Sequence, residues 1–202
     1  MDFIANNRNE IIFVDGAELS LTRKQKSVLS SAAAHLIECF DIKAEIDVYI
    51  SKKSILHKHA GLSAQAWHMP PQYTRSNHIV CVFVDSEETL KSMVISLCHE
   101  IIHAWQVERG DLEGNVWKGE DFSSYPYRLQ PWELEAFNLM EKAAGYYFND
   151  TYPDYADLED ALKQTDVACG IIKKDLSNAS LKSKIKKVSA VAGMIGLAAL
   201  LS

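Results

Sequence analysis

Residues 99–103 read His99-Glu100-Ile101-Ile102-His103. On a helix, residues four apart lie on one face about one turn from each other, so the two imidazoles can turn ring nitrogens toward a single point. The glutamate between them sits where its carboxylate can reach a water held at that point. Outward from this pentapeptide, Leu90, Met93, Val94, Leu97, Ile101, Ala104 and Trp105 recur as an apolar stripe, while Ser92, Ser96, His99, His103 and Gln106 form a second, polar one. The spacing predicts one long helix that ends near Arg109 at Gly110. Asp85 or Ser86 is the expected cap, with Glu87 and Glu88 favourable against the helix dipole in the first turn. The two histidines are expected on the face turned away from the main core stripe, at a cleft.

The flanking elements follow from periodicity. Ile11 to Val14 is a short apolar stretch that suits a strand or an edge contact. Leu21 to Phe40 reads as a helix capped by Thr22, with Val28, Ala32, Leu36 and Phe40 at near-helical spacing. Ala44 to Ile50 alternates as a half-buried strand, and Ala64 to Met69 is a second strand stopped by Pro70-Pro71. His78 to Asp85 is dense in β-branched and aromatic residues and is the strongest strand signal. After the central helix, 111–129 reads as irregular. Pro131 opens another helix to about Phe148, and Asp154 to about Ile172 suits one more.

The bulk properties narrow the class. A chain of 202 residues, 48% hydrophobic and 24% charged, can bury a substantial core. A net charge of −6 argues against a nucleic-acid partner, because no general excess of Lys and Arg is present to neutralise phosphates. Cys39, Cys81, Cys98 and Cys169 form no C-x-x-C pair and have apolar or small neighbours, as expected of reduced, mostly buried thiols. Residues 1–10 lack a basic start followed by an apolar run, so no secretory signal is read and a cytoplasmic location is expected. Trp105, Trp117 and Trp132 are expected as core or cleft-wall aromatics.

A catalytic zinc usually takes three protein ligands and leaves one position for water. The histidines are His35, His57, His59, His68, His78, His99 and His103, and none follows His103. A third ligand from downstream is therefore expected to be a carboxylate. Gln106 and Arg109 stand where the longer H-E-x-x-H-x-x-G-x-x-H pattern needs Gly and His, so that pattern fails. The strongest carboxylates lie in Pro131-Trp132-Glu133-Leu134-Glu135-Ala136-Phe137. Glu133 and Glu135 are about 200° apart around a helix and cannot both face one ion.

With His99-Glu100-x-x-His103 and a downstream Glu133-x-x-Ala136, residues 44–148 resemble the gluzincin type of zincin metallopeptidases, and more narrowly small bacterial or phage-encoded proteins of that kind. The resemblance implies an α+β, zincin-like fold: a small twisted sheet packed on the H-E-x-x-H helix, with a C-terminal helical part. It implies Zn2+ held by His99, His103 and Glu133, Glu135 being the rival third ligand, with Ala136 allowing close helix approach. It further implies peptide-bond hydrolysis by a zinc-bound water that Glu100 activates, on a peptide or protein substrate. Tyr125, Tyr127 and Arg128 are candidate donors to the oxyanion. Many relatives carry an acid just after the alanine to orient a ligand histidine, whereas this chain has Phe137. The strand from His78 is expected by the same resemblance at the sheet edge, where an extended substrate would pair.

The alternative expectation is a zinc-stabilised structural or binding component, for example of a phage particle, with little hydrolysis. A phage-encoded protein would then act in the virion or host cell. Residues 1–175 are read as the zincin-like domain and 176–202 as a tail. In that tail Lys182, Lys184, Lys186 and Lys187 precede the uncharged run Val188 to Leu201, too short to span a bilayer comfortably. A membrane surface or a larger assembly is the contact considered for 182–202.

Overall fold

Ile46 and Val48 alternate with Asp47 and Tyr49, and both apolar side chains are fully buried while their neighbours are only partly so. This is the period of a strand with one face on a core. In the computed structural model, which describes residues 3–6, 9–13, 21–52, 66–69, 78–84, 89–153 and 155–178, that strand is β3 (Ile46–Lys52) of a five-stranded mixed sheet. The other strands are β1 (Phe3–Asn6), β2 (Asn9–Phe13), β4 (Ala66–Met69) and β5 (His78–Val84), in the order β1-β2-β3-β5-β4. β1 and β2 pair antiparallel, with Phe3 opposite Ile12. β2 pairs parallel with β3, and β3 with β5, with Val48 opposite Val80. β4 closes the edge antiparallel to β5, with Trp67 opposite Cys81.

Among the described residues, four helices complete an α+β fold: α1 (Arg23–Cys39), α2 (Leu90–Glu108), α3 (Pro131–Asn149) and α4 (Tyr155–Asn178). The parallel pairing of β2 and β3 requires a crossover connection, which α1 supplies. Thr22 caps α1 in a full capping box with Gln25, as the sequence predicts. α2 packs on α1, on strands β4 and β5, and most extensively on α3, so it is the central element. Every residue from Leu97 to Ala104 is buried. The end of α2 is tied to the start of β3 by Glu108, whose carboxylate accepts from the backbone N–H groups of Lys43 (2.7 Å) and Ala44 (3.2 Å).

Several expectations change. β5 is not the sheet edge: it lies between β3 and β4. Its unbroken apolar run suits a strand flanked on both sides, and the four-residue β4 takes the edge instead. The cap of α2 is Thr89, whose hydroxyl accepts from Ser92 N, in place of the expected Asp85 or Ser86; residues 85–88, with Glu87 and Glu88, lie outside the described residues. β1 has no counterpart in the sequence reading.

Residues 111–129 are also more ordered than expected. They form a small antiparallel sheet of two-residue strands, β6 (Leu112–Glu113), β7 (Val116–Trp117) and β8 (Glu120–Asp121), then a 3-10 turn at Tyr127–Leu129. Strands that short carry no readable period. Lys118 and Gly119 between β7 and β8 both have positive φ, 47° and 84°, the backbone of a tight hairpin turn.

α4 runs to Asn178, past the boundary read at residue 175, and the basic and apolar segment 182–202 lies outside the described residues. Cys98 and Cys169 are buried free thiols and Cys39 is half-buried. Trp117 and Trp132 are core residues, while Trp105 is half-buried. Among the described residues, no helix is long and apolar enough to cross a membrane.

Leu97 in α2 and Ala136 in α3 belong to one buried cluster and are fully buried. Leu97→Ala is expected to cost about 2–5 kcal/mol of stability by leaving a cavity. Ala136→Leu is expected to cost about 1–3 kcal/mol by overfilling the interface. Urea denaturation checks both, and unchanged midpoints would contradict the close packing of α2 on α3.

Candidate metal centre

The four side chains named as a site come together. His99 and His103 project from one face of α2, with their Nε2 atoms 3.1 Å apart and their rings perpendicular. Glu133 lies in the first turn of α3, which Pro131 opens at its N1 position. Its Oε2 is 3.2 Å from His99 Nε2 and its Oε1 is 3.4 Å from His103 Nε2. Glu100 Oε1 is 4.0 Å from His99 Nε2. Donor atoms of His99, Glu100 and His103 all lie within 4.8 Å of one another. The polar stripe of α2 therefore does not look out of the fold: α3 covers it, and none of the four residues is more than 7% exposed.

Burial of this many ionisable groups sets their electrostatics. Burial alone would raise the Glu133 carboxyl, but the imidazoles of His103 and His99 set against it outweigh burial and hold the group down at about 2. For His103 burial acts downward, and the carboxylates of Glu133 and Glu100 overcome it to bring the imidazole up to about 9. Burial lowers His99, with Glu133 opposing. Glu100 is pushed up to about 7, chiefly by burial.

The donor set fits a cation. A tetrahedral ion with N and O ligands at about 2.0–2.1 Å has neighbouring ligand atoms a little over 3 Å apart. His99 Nε2 and His103 Nε2 are 3.1 Å apart, and each faces a different oxygen of the Glu133 carboxylate, Oε2 at 3.2 Å and Oε1 at 3.4 Å, contacts of that length. Glu133 Oε2, although 3.2 Å from His99 Nε2, is buried without a hydrogen-bond partner of acceptable geometry. Two imidazole nitrogens facing each other and a carboxylate oxygen with no donor are the surroundings a divalent ion satisfies.

Glu135 is not at this point. It faces the other way around α3, as the two-residue spacing requires, and is 1% exposed. There its Oε1 accepts from Arg109 Nη2 at 2.5 Å and from Gln106 Nε2 at 3.1 Å. Gln106 is fully buried, and its Oε1 lies 2.8 Å from His103 Nδ1. The sequence reading did not assign Gln106 and Arg109 a role. The signal was present for Gln106, three residues after His103 and so on the same helix face. Phe137, where the resemblance led to the expectation of an acid, lies against His99 with ring centroids 4.8 Å apart.

Of the three candidate oxyanion donors, Tyr127 stands nearest the site. It is 59% exposed as a residue, and its phenol lies close enough to Glu133 to feel the charge of the carboxylate. Burial of the phenol and the charges of Glu133 and Glu100 raise it above its ordinary range. Tyr125 instead packs on Phe122, with ring centroids 4.8 Å apart, and Arg128 is exposed.

In comparisons with known proteins, no protein family, no curated protein and no solved structure matches this chain. The functional reading therefore stands on the geometry of the centre.

The shifted groups predict how the metal-free protein responds to pH. Glu133, held low, contributes stability above its unfolded value of 4.5 that is lost as pH falls toward about 2. His103, held high, contributes stability below 6.5 that is lost as pH rises through about 9. Glu133→Gln is expected to flatten both limbs, as read by urea denaturation across pH. A variant whose profile keeps both limbs of the parent would show that the buried pair does not form.

Proposed function

We propose that this protein is a zinc-dependent metallopeptidase. The observation that carries the reading is the convergence of His99, His103 and Glu133 at 3.1–3.4 Å, with Glu100 beside them. Two neutral nitrogens and one carboxylate form a ligand set that favours zinc among common divalent ions and leaves a position for water. A bound ion would supply Lewis acidity, lowering the pKa of water and polarising a scissile carbonyl.

The chain's own residues supply the rest. Glu100, whose carboxyl sits at about 7, is balanced between accepting and releasing a proton near neutrality. That suits a group that takes a proton from the attacking water and delivers it to the leaving amine. The Tyr127 hydroxyl, placed at Glu133, is the donor best located for a developing oxyanion. Among the described residues β1 and β4 are the edge strands, and β4, which packs on α2, is the one placed near the centre for an extended peptide to pair with.

A second reading is a zinc-stabilised structural or binding component. The proximity of Glu100 to the same cluster favours it, because a fourth protein ligand would close the site. Glu100→Gln separates the two. As a base, Glu100 is dispensable for binding: the variant retains one zinc per chain at the parent's affinity and loses about 100-fold or more of peptide hydrolysis on a mixed peptide library. As a fourth ligand, its loss weakens zinc instead. Full hydrolysis by a zinc-loaded Glu100→Gln variant would end the metallopeptidase reading. Glu133→Ala is expected to lose zinc under either reading, measured by competition with a chromogenic chelator.

A further inference from the structure

The hydrogen bonds behind His103 dictate which of its nitrogens carries a proton. Gln106 is fully buried beside it, and the orientation of the Gln106 amide is settled by its other contacts. Its Nε2 is 2.9 Å from the backbone carbonyl oxygen of Trp132 and 3.1 Å from Glu135 Oε1. A carbonyl oxygen can only accept, and the Glu135 oxygen also takes the Arg109 guanidinium, so both neighbours demand the NH2 end of the amide. Turning the amide over would set its oxygen against two acceptors, leaving buried groups unpaired. The Gln106 oxygen must therefore face His103 Nδ1, at 2.8 Å. That oxygen also only accepts, so Nδ1 carries the hydrogen. In the neutral ring the lone pair then lies on Nε2, directed at His99 and Glu133.

We propose that Gln106 is the positioning residue that fixes His103 as an Nε2 metal ligand, and that Glu135, anchored by Arg109, fixes Gln106. The anchor is itself held. Arg109 stacks on Trp105, with its guanidinium carbon 3.7 Å from the ring centroid, and pairs with Asp111 at 2.8 Å. His99 is steadied by packing against the Phe137 ring, and His103 by a hydrogen-bonded relay from its own helix across to α3. The rival glutamate thereby acquires a role of its own, since Glu135 acts on the centre through two bonds without touching it.

This inference rests on the metal-centre reading, and its test keeps the two apart. In metal-free protein, nitrogen-15 spectra of the imidazoles are expected to show that His103, once neutral, keeps its proton on Nδ1, whereas a free histidine side chain favours the other tautomer. A proton on Nε2 overturns the proposal whether or not metal binds. For zinc, Gln106→Leu is expected to weaken affinity by about 10–100-fold, the usual cost of removing a partner behind a metal-bound histidine. Glu135→Ala leaves Gln106 without its side-chain acceptor while the Trp132 carbonyl still holds its NH2 group, and is expected to weaken zinc by less than Gln106→Leu does. Parent affinity in a folded Glu135→Ala variant overturns the part assigned to Glu135. A folded Gln106→Leu variant that binds zinc as tightly as the parent overturns the relay. If the unsubstituted protein takes up no zinc, the metal-centre reading fails, and the tautomer alone still decides the relay.

Discussion

The contact on which the rest of the centre depends is the approach of α3 to the polar face of α2. Burying a carboxylate costs several kcal/mol unless partners compensate it. Here two carboxylates of one helical turn, Glu133 and Glu135, are both buried, each 3% exposed or less. They are compensated on opposite sides of α3: Glu133 by two imidazoles and Glu135 by a guanidinium and an amide. Neither compensation survives a rotation of α3, because a turn that improved one side would withdraw the other. The two charges therefore lock the rotational setting of the helix. Ala136, fully buried just beyond them, lets the backbones come close enough for the contacts to form.

The surrounding fold serves that setting. The sheet and α1 give α2 a rigid floor of apolar side chains, so His99 and His103 project from an element that is buried nearly all round. The excursion between α2 and α3 is held separately. Phe122 and Trp117 pack with Trp132 at the start of α3. Lys118 pairs with Asp166 and Lys173 with Glu120, joining the excursion to α4. Exposed ion pairs of this sort contribute little stability individually. Their consequence is positional: they keep the turn that carries Tyr127 beside Glu133.

The metallopeptidase reading proposed above rests on how the donor atoms are placed, and the layer behind them departs from the expected pattern. The expected triad converges, with Glu133 rather than Glu135 in it. The expected acid behind a ligand histidine is absent, and Phe137 packs on that ring instead. A change of this kind trades a charged hydrogen bond for aromatic packing at one ligand, while hydrogen-bonding demand concentrates on the other, where Gln106 sits.

The sequence by itself determined what repeats along the chain. Spacing of three and four placed α1, α2 and α3, and alternation placed β3. A dense apolar run placed β5, and His99 and His103 paired because four residues make about one turn. It also made a carboxylate the expectation for any third ligand from downstream, since no histidine follows His103. The motif favoured Glu133 over Glu135, but only tertiary structure set Glu133 against the imidazoles, because positions about 200° apart on a helix are told apart once a second helix fixes the rotation. Tertiary structure alone put β4 at the sheet edge in place of β5, since strand order depends on pairing between distant segments and local composition does not encode it. It alone showed the polar stripe of α2 to be covered, because a polar side chain reads as exposed until its partner arrives from elsewhere in the chain. That partner, α3, begins some twenty residues after α2 ends. The chemistry of the centre exists only where the two helices meet.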